Sequence, residues 1–123
     1  MPTVVPSFLL KKLYLKGSFK NNPTGFELAL RNTLAPGTLT GISPLKIDGR
    51  NIPLDQILIA AGDTPPIRAS EISPASPRLF PLNVVVKFQV QDQPLSAGLH
   101  RVTVQVNTKE AGELTIDAED SIS

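Results

Sequence analysis

The sequence of 123 residues contains no cysteine and no tryptophan, and it has a single histidine and a single tyrosine. Without cysteine there are no disulfides, thiolate metal sites or cysteine nucleophiles. Aromatic residues make up only 5% of the chain, which is too few to build a stacking platform for sugars or bases. The formal net charge of +1 creates no strong field, so we expect neither nucleic acid nor an anionic membrane as a partner.

Long hydrophobic runs are also lacking, since no stretch approaches the ~20 apolar residues that span a bilayer. Residues 1–6 have no basic region and no long apolar run, which predicts no signal peptide. The chain is 41% hydrophobic and 19% charged, which is typical of a folded soluble protein. We therefore expect one cytoplasmic domain over residues 1–123.

The clearest pattern is a hairpin over residues 98–119, in which apolar and polar side chains alternate as in half-buried strands. One predicted face of the first arm carries His100, Val102, Val104 and Val106. In the second arm Leu114, Ile116 and Ala118 alternate with Glu113, Thr115, Asp117 and Glu119. Residues 109–112 form the predicted turn, with Gly112 in left-handed backbone.

Similar alternation predicts strands over residues 8–19, 26–30 and 84–91, and a turn over residues 20–25 joins the first two.

Two local signals refine the middle of the chain. Asp48-Gly49 predicts a type I′ hairpin turn. A change of phase near Gly41 and Pro44 predicts a bulge or break in residues 38–47.

Residues 67–72 are a weaker strand candidate, and the prolines of residues 73–81 predict irregular structure. Since no segment shows a helical apolar period, seven or eight short strands predict an all-β fold. We expect an antiparallel β-sandwich of immunoglobulin-like type, with a closed barrel as the alternative.

Several short sequence segments in these strands and turns resemble those of one family. They are Leu13-Tyr14-Leu15-Lys16-Gly17-Ser18, Gly25-Phe26-Glu27-Leu28 with Arg31-Asn32, Leu45-Lys46-Ile47-Asp48-Gly49, Gly98-Leu99-His100 and Ala111-Gly112-Glu113-Leu114. They are similar to a group of short prokaryotic β-sandwich proteins whose members are often labelled hydroxymethylglutaryl-CoA reductase. The reductase enzyme itself is far longer and binds a nicotinamide cofactor, for which a glycine-rich strand-to-helix motif is typical. This sequence lacks that motif, so the resemblance implies a sandwich fold, and we predict no catalytic residue and no cofactor.

The Asp48-Gly49 hairpin followed by Pro53 is also similar to one in the small β subunit of bacterial C-glycoside deglycosidases. That subunit is a sandwich beside a metal-dependent barrel subunit. The likeness implies an accessory subunit that completes a shared site, to which His100 or a loop carboxylate would contribute.

His100 and the carboxylates each have two interpretations. His100 is either a catalyst, which needs a partner group nearby, or a partly buried residue that closes the end of the sandwich, which we favour. We expect no metal site there, because only carboxylates would be available as further ligands. The carboxylates of Glu113, Asp117, Glu119 and Asp120 are a candidate for Ca²⁺. For Glu113, Asp117 and Glu119, strand spacing of ~6.6 Å per two residues favours instead a solvated face that discourages edge-to-edge aggregation.

Two further groups are candidate contacts. Lys12, Tyr14, Lys16 and Lys20 share one predicted strand face, which favours a solvated surface over a nucleic-acid site. Leu79 and Phe80 lie in the proline-rich segment. There they form either a lid over the sandwich or an anchor for another chain, because proline lowers the entropy lost on docking.

We therefore expect a non-catalytic interaction or accessory protein that self-associates or docks on a larger enzyme. Leu79, Phe80, Tyr14 and His100 are the candidate partner contacts. The alternative is the small subunit of a heteromeric carbohydrate-active enzyme. A stand-alone hydrolase is least favoured, since it would depend on paired carboxylates that point into solvent.

Overall fold

The computed structural model describes residues 7–122, and it shows two antiparallel β-sheets that share one hydrophobic core. In chain order the strands are β1 (Lys20–Asn22), β2 (Gly25–Arg31), β3 (Gly37–Ile42), β4 (Leu45–Ile47), β5 (Arg50–Ile52), β6 (Ile57–Ala61), β7 (Ile67–Arg68), β8 (Arg78–Phe80), β9 (Val85–Gln91), β10 (Gly98–Thr108) and β11 (Gly112–Ile122). A short helix α1 (Ser7–Leu10) and 3-10 turns at Lys11–Leu13, Leu54–Gln56 and Ala69–Glu71 complete the described elements.

Sheet A has the spatial order β1-β2-β9-β6-β7. In sheet B, β10 pairs with β11 on one side and with β3 and β4 on the other, while β8 pairs with β3 and β5 with β4. Both sheets are open, so the antiparallel sandwich is confirmed and the closed barrel is not formed. Within residues 7–122 there are eleven strands rather than the predicted seven or eight, and five of these are only two or three residues long.

The core is built by the alternation that the sequence shows. Phe26, Phe88 and Val104 are almost completely buried, and the core extends along the chain from Leu10 to Ile122. Because successive strand residues point to opposite sides, each sheet places one apolar face against the other sheet.

The terminal hairpin and the Asp48-Gly49 turn agree with prediction. Strands β10 and β11 pair without interruption from Gly98 opposite Ile122 to Thr108 opposite Gly112, and Gly112 has φ 69°. The turn between β4 and β5 has positive φ at both central residues, as a type I′ turn requires.

The predicted bulge in the middle of the chain is also confirmed. The register of β3 against β10 shifts between Asn107 and Thr108, opposite Gly41 and Leu39. Residues 43–44 then separate β3 from β4, so the two strands run along the same side of β10.

The prediction of a first long strand over residues 8–19 is wrong. These residues form α1, a 3-10 turn and a single bridge between Tyr14 and Leu30. Leu10, Leu13 and Tyr14 are buried at a spacing of three and four residues, which is a helical spacing. The segment packs beside β11 and closes the side of the sandwich where β1 and β11 end the two sheets.

The prediction of irregular structure over residues 73–81 is wrong in part, because β8 forms there and pairs with β3. Pro77 and Pro81 flank β8, and prolines are tolerated there because β8 is an edge strand. The weaker candidate at residues 67–72 forms the two-residue strand β7 and a 3-10 turn.

No helix within residues 7–122 is long and apolar enough to cross a membrane. The predicted absence of a signal peptide concerns residues 1–6, which lie outside the described residues.

Candidate functional site

The two sheets leave an open cleft of about 820 Å³ on the side where β8 ends sheet B and β7 ends sheet A. Sheet A contributes Ile59, Ile67 and Val86 to its walls, and sheet B contributes Leu39 and Leu79. Among the described residues that line it there is no aromatic side chain. We call this feature the aliphatic cleft.

Leu79 and Phe80 differ in burial, and this bears on the two roles considered for them, a lid over the sandwich and an anchor for another chain. Phe80 is 7% exposed and belongs to the core, whereas Leu79 is 72% exposed at the rim of the aliphatic cleft. Neighbouring strand residues point to opposite faces, so β8 cannot bury both. Phe80 therefore acts as a lid residue, and Leu79 is the one available as an anchor.

Arg78 is a cleft residue that sequence reasoning missed. It shares its strand face with Phe80, and it lies directly opposite the buried Leu39. Its side chain is exposed, and within residues 7–122 it takes part in no ion pair. The signal was present in the sequence, since Arg78 precedes Phe80 by two residues. It becomes visible only once β8 is recognised as a strand.

His100 is held by two acceptors at the start of β10. Its Nδ1 lies 2.6 Å from Oδ2 of Asp48, and its Nε2 lies 2.7 Å from the carbonyl oxygen of Ser96. A carboxylate and a carbonyl are both acceptors, so this arrangement favours the protonated ring, which donates from both nitrogens. The favoured interpretation, a buried residue that closes the end of the sandwich, agrees with its 8% exposure.

The hydrogen bonds of this pair favour the charged form of each residue. The hydrogen bond to Asp48, with a further one to the carbonyl of Ser96, raises the pKa of His100 against the opposing effect of burial. The ring of His100 and the N–H of Arg101 in turn lower the pKa of Asp48. Both ring nitrogens thus face acceptors within the chain, and the contact with Asp48 ties the β4–β5 turn to β10.

Tyr14 and Asp120 form a second polar contact inside the same end of the sandwich. The Tyr14 hydroxyl donates to Oδ2 of Asp120 over 3.0 Å, and the Gly17 N–H donates to the same oxygen over 2.9 Å. Burial, and then the Asp120 hydrogen bond, raises the pKa of Tyr14 well above 10.0. Burial opposes ionisation of Asp120, but its combined donors still hold its pKa below the ordinary range. Tyr14, one of the predicted partner contacts, is therefore buried, and its hydroxyl is hydrogen-bonded within the chain.

Asp120, the fourth carboxylate of the candidate Ca²⁺ group, lies apart from the exposed carboxylates. It is buried and lies directly opposite His100 in the β10–β11 pairing. Glu113 and Glu119 are exposed, and Asp117 accepts a hydrogen bond from Thr103 over 2.7 Å. Among the described residues no group of three or more acidic or histidine side chains is arranged to hold a metal ion.

The four residues Lys12, Tyr14, Lys16 and Lys20 do not share a strand face, because the strand predicted for them is not formed. Lys16 instead lines a small cleft of about 320 Å³ together with Lys11, Arg101, Asp117 and Glu119. Its charges are mixed, so it offers no uniformly basic surface.

The comparisons with known proteins agree with the resemblance found in the sequence. The model of the family described as hydroxymethylglutaryl-CoA reductase, N-terminal domain, matches residues 9–123, and thus covers every strand of both sheets. No curated protein matches the chain. The likeness to the deglycosidase small subunit stays a prediction. On the extent of the family match, this chain belongs to the hydroxymethylglutaryl-CoA reductase N-terminal domain family.

Proposed function

We propose that this chain is a non-catalytic accessory domain that docks on a larger enzyme through Leu79 and the aliphatic cleft. The observation that carries the proposal is the position of Leu79, which is 72% exposed at the rim of that cleft. A large aliphatic side chain beside an unfilled apolar cleft gains free energy when a partner covers both.

The local backbone supports an anchoring role for Leu79. It lies in β8 between Pro77 and Pro81, and β8 is paired to β3 through Leu79 opposite Thr38. Such an anchor is already ordered before binding, so less conformational entropy is lost when a partner docks.

The family of this chain supports a reductase as the partner. Its description names the N-terminal domain of hydroxymethylglutaryl-CoA reductase, which is one part of a larger enzyme. We therefore take a reductase polypeptide as the partner on which this domain docks.

The state of His100 supports a non-catalytic role. Both of its ring nitrogens lie within hydrogen-bond distance of acceptors in the chain, and the residue is almost fully buried. The same arrangement does not favour the alternative of a small subunit that completes a shared carbohydrate-active site through His100, because such a site needs an accessible group.

A capture experiment tests the proposal. The tagged chain is incubated with extract from its own source, and captured reductase is quantified by mass spectrometry. We expect Leu79→Ser to reduce capture of the reductase by about tenfold or more, as for an interface hot spot. The matched control is Leu99→Ser, because Leu99 is 65% exposed and does not line the cleft.

Two outcomes would overturn the proposal. Equal capture by the wild type and Leu79→Ser would show that Leu79 is not an anchor. A dimer in light scattering that Leu79→Ser abolishes would make a second copy of the chain the occupant of the cleft.

A further inference from the structure

We propose that the aliphatic cleft selects its occupant by charge as well as by shape. Its occupant is a segment of the partner protein with aliphatic side chains and one acidic side chain, which pairs with Arg78. This inference rests on the proposed function, since it names the chemistry of the docking segment.

The walls of the cleft set the aliphatic requirement. They are formed by Ile67, which is partly exposed, and by the buried side chains of Leu39, Ile59, Ile72 and Val86. An aromatic side chain of an occupant would find no ring on these walls to stack against. Leucine, isoleucine and valine side chains match the walls in shape and polarity. The cleft is open, and its volume of about 820 Å³ falls within the size range of ligand pockets.

Arg78 sets the charge requirement. Its side chain lies on the same face of β8 as the buried Phe80. In the pairing of β8 with β3, Arg78 is opposite the buried Leu39. Arg78 lines the cleft with an exposed side chain, and arginines at such positions typically keep their charge in water and their methylenes along apolar surface. Its guanidinium forms no ion pair within residues 7–122, so its donors are available to a carboxylate.

Asp63 limits where that carboxylate lies. It lines the cleft from the turn that follows β6 in sheet A, opposite the sheet that carries Arg78. A second acidic side chain near Asp63 would be repelled. The two charges therefore favour a segment whose acidic side chain lies on the β8 side of the cleft.

Inward-pointing charges also protect edge strands from pairing with other chains, and this is the competing explanation for Arg78. Strand β8 is already protected, because it has three residues and lies between Pro77 and Pro81. A charge is thus not required for that purpose, which favours a role in recognition.

Synthetic peptides test the selection directly. The probe is acetyl-Leu-Val-Glu-Val-Leu-amide, with matched peptides that carry glutamine or lysine in place of glutamate. Binding is measured by NMR titration of the methyl groups of Leu39, Ile59 and Val86. The wild type should bind the glutamate peptide about five- to tenfold more tightly than the lysine peptide, as expected for a charge-assisted pair.

Variants at Arg78 give the decisive comparison. Arg78→Glu should reverse the order of the glutamate and lysine peptides, and Arg78→Gln should make their affinities similar. Leu99→Ser, which lies away from the cleft, should behave as the wild type does.

The remaining outcomes overturn the proposal. If the wild type binds no peptide or all three equally, or if Arg78→Glu does not reverse the order, then Arg78 does not select the occupant. Tighter binding of octanoate than of the glutamate peptide would make the cleft a small-molecule site. Self-association of Arg78→Gln with an unchanged peptide preference would assign Arg78 to edge protection. In each case an effect of Leu79→Ser on reductase capture would leave the docking function standing.

Discussion

Asp48 joins the β4–β5 turn to the start of β10 by accepting from His100, with 2.6 Å between Oδ2 and Nδ1. Its other carboxylate oxygen accepts the N–H of Arg101 over 2.8 Å. Asp48 reaches both donors from a left-handed backbone conformation with φ 53°. The hairpin turn is thus held to a strand 52 residues away by one carboxylate.

This contact predicts that stability falls as the solution becomes alkaline. The folded state holds the His100 proton more tightly than the unfolded chain, whose ordinary pKa is 6.5. The stabilisation is fully present below pH 6.5 and is lost as the pH rises through the raised pKa. We expect urea unfolding at a series of pH values to show this decrease, and His100→Gln to lose about 1–3 kcal/mol below pH 6.5.

The pH dependence of stability in two variants identifies the residue that causes the decrease. In His100→Gln the decrease above pH 6.5 should disappear, and in Asp48→Asn it should shrink because the ring loses its carboxylate. A decrease that persists unchanged in His100→Gln would contradict this account. On the acid side, the stabilisation from Asp48 should be lost as the pH falls below 3.8 and through its lowered pKa.

The buried phenol of Tyr14 predicts an unusual alkaline titration. Burial and the Asp120 hydrogen bond raise its pKa, so the folded chain should show no phenolate absorbance at pH 10.0. Since Tyr14 is the only tyrosine and there is no tryptophan, the ultraviolet signal reports this residue alone. We expect phenolate to appear only together with unfolding, followed in parallel by circular dichroism.

Asp120→Asn is the informative variant for this titration, because it removes the charge that opposes phenolate and leaves the ring buried. Its phenolate should appear at lower pH than in the wild type. Tyr14→Phe should cost about 1 kcal/mol, since Asp120 keeps the N–H groups of Gly17 and Ser121 as donors. Ionisation of the wild-type phenol near pH 10.0 in the folded state would show that the contact does not form.

Two glycines with positive φ predict very different costs of substitution. At Gly25, with φ 153°, an added Cβ would overlap the carbonyl oxygen of Val90 and lie 2.8 Å from the backbone of Asp92. At Gly17, with φ 89°, an added Cβ would meet nothing within 4 Å. We expect Gly17→Ala to cost about 1–2 kcal/mol from backbone strain alone, and Gly25→Ala to cost clearly more. Chemical denaturation of both variants measures the difference, and similar costs would contradict it.

The two faces of β8 predict opposite effects on stability. Phe80→Ala should destabilise the chain by about 3–5 kcal/mol, because it opens a cavity in the core. Leu79→Ala should change stability by no more than about 0.5 kcal/mol, since its side chain is exposed. Thermal unfolding of the two variants checks this prediction. A large loss in Leu79→Ala would mean that Leu79 is a second lid residue rather than an anchor.

Local sequence patterns predicted much of the fold. Alternation located β2, β9, β10 and β11, and the Asp48-Gly49 dipeptide located the tightest turn. These features depend on the pleat of a single strand and on the φ angles that particular residues tolerate, so they can be read without the rest of the chain.

The N-terminal segment shows where that approach failed. Alternation in steps of two puts Lys11 on the apolar face of residues 8–19, which conflicts with a strand there. Leu10, Leu13 and Tyr14 fit a helical spacing, which was the missed signal. Asp120 was missed in the same way, because steps of two from Ile116 place it on the buried face of β11.

The sequence by itself determined which side of each long strand is apolar and where the chain turns, because both follow from residues close together in the chain. The tertiary structure alone decided that Tyr14 meets Asp120, 106 residues away, and that Asp48 meets His100. It also decided where the cleft lies, since a cleft forms where the edges of two sheets fail to cover each other. That arrangement depends on how β7 and β8 end their sheets, and no local pattern of side chains encodes it.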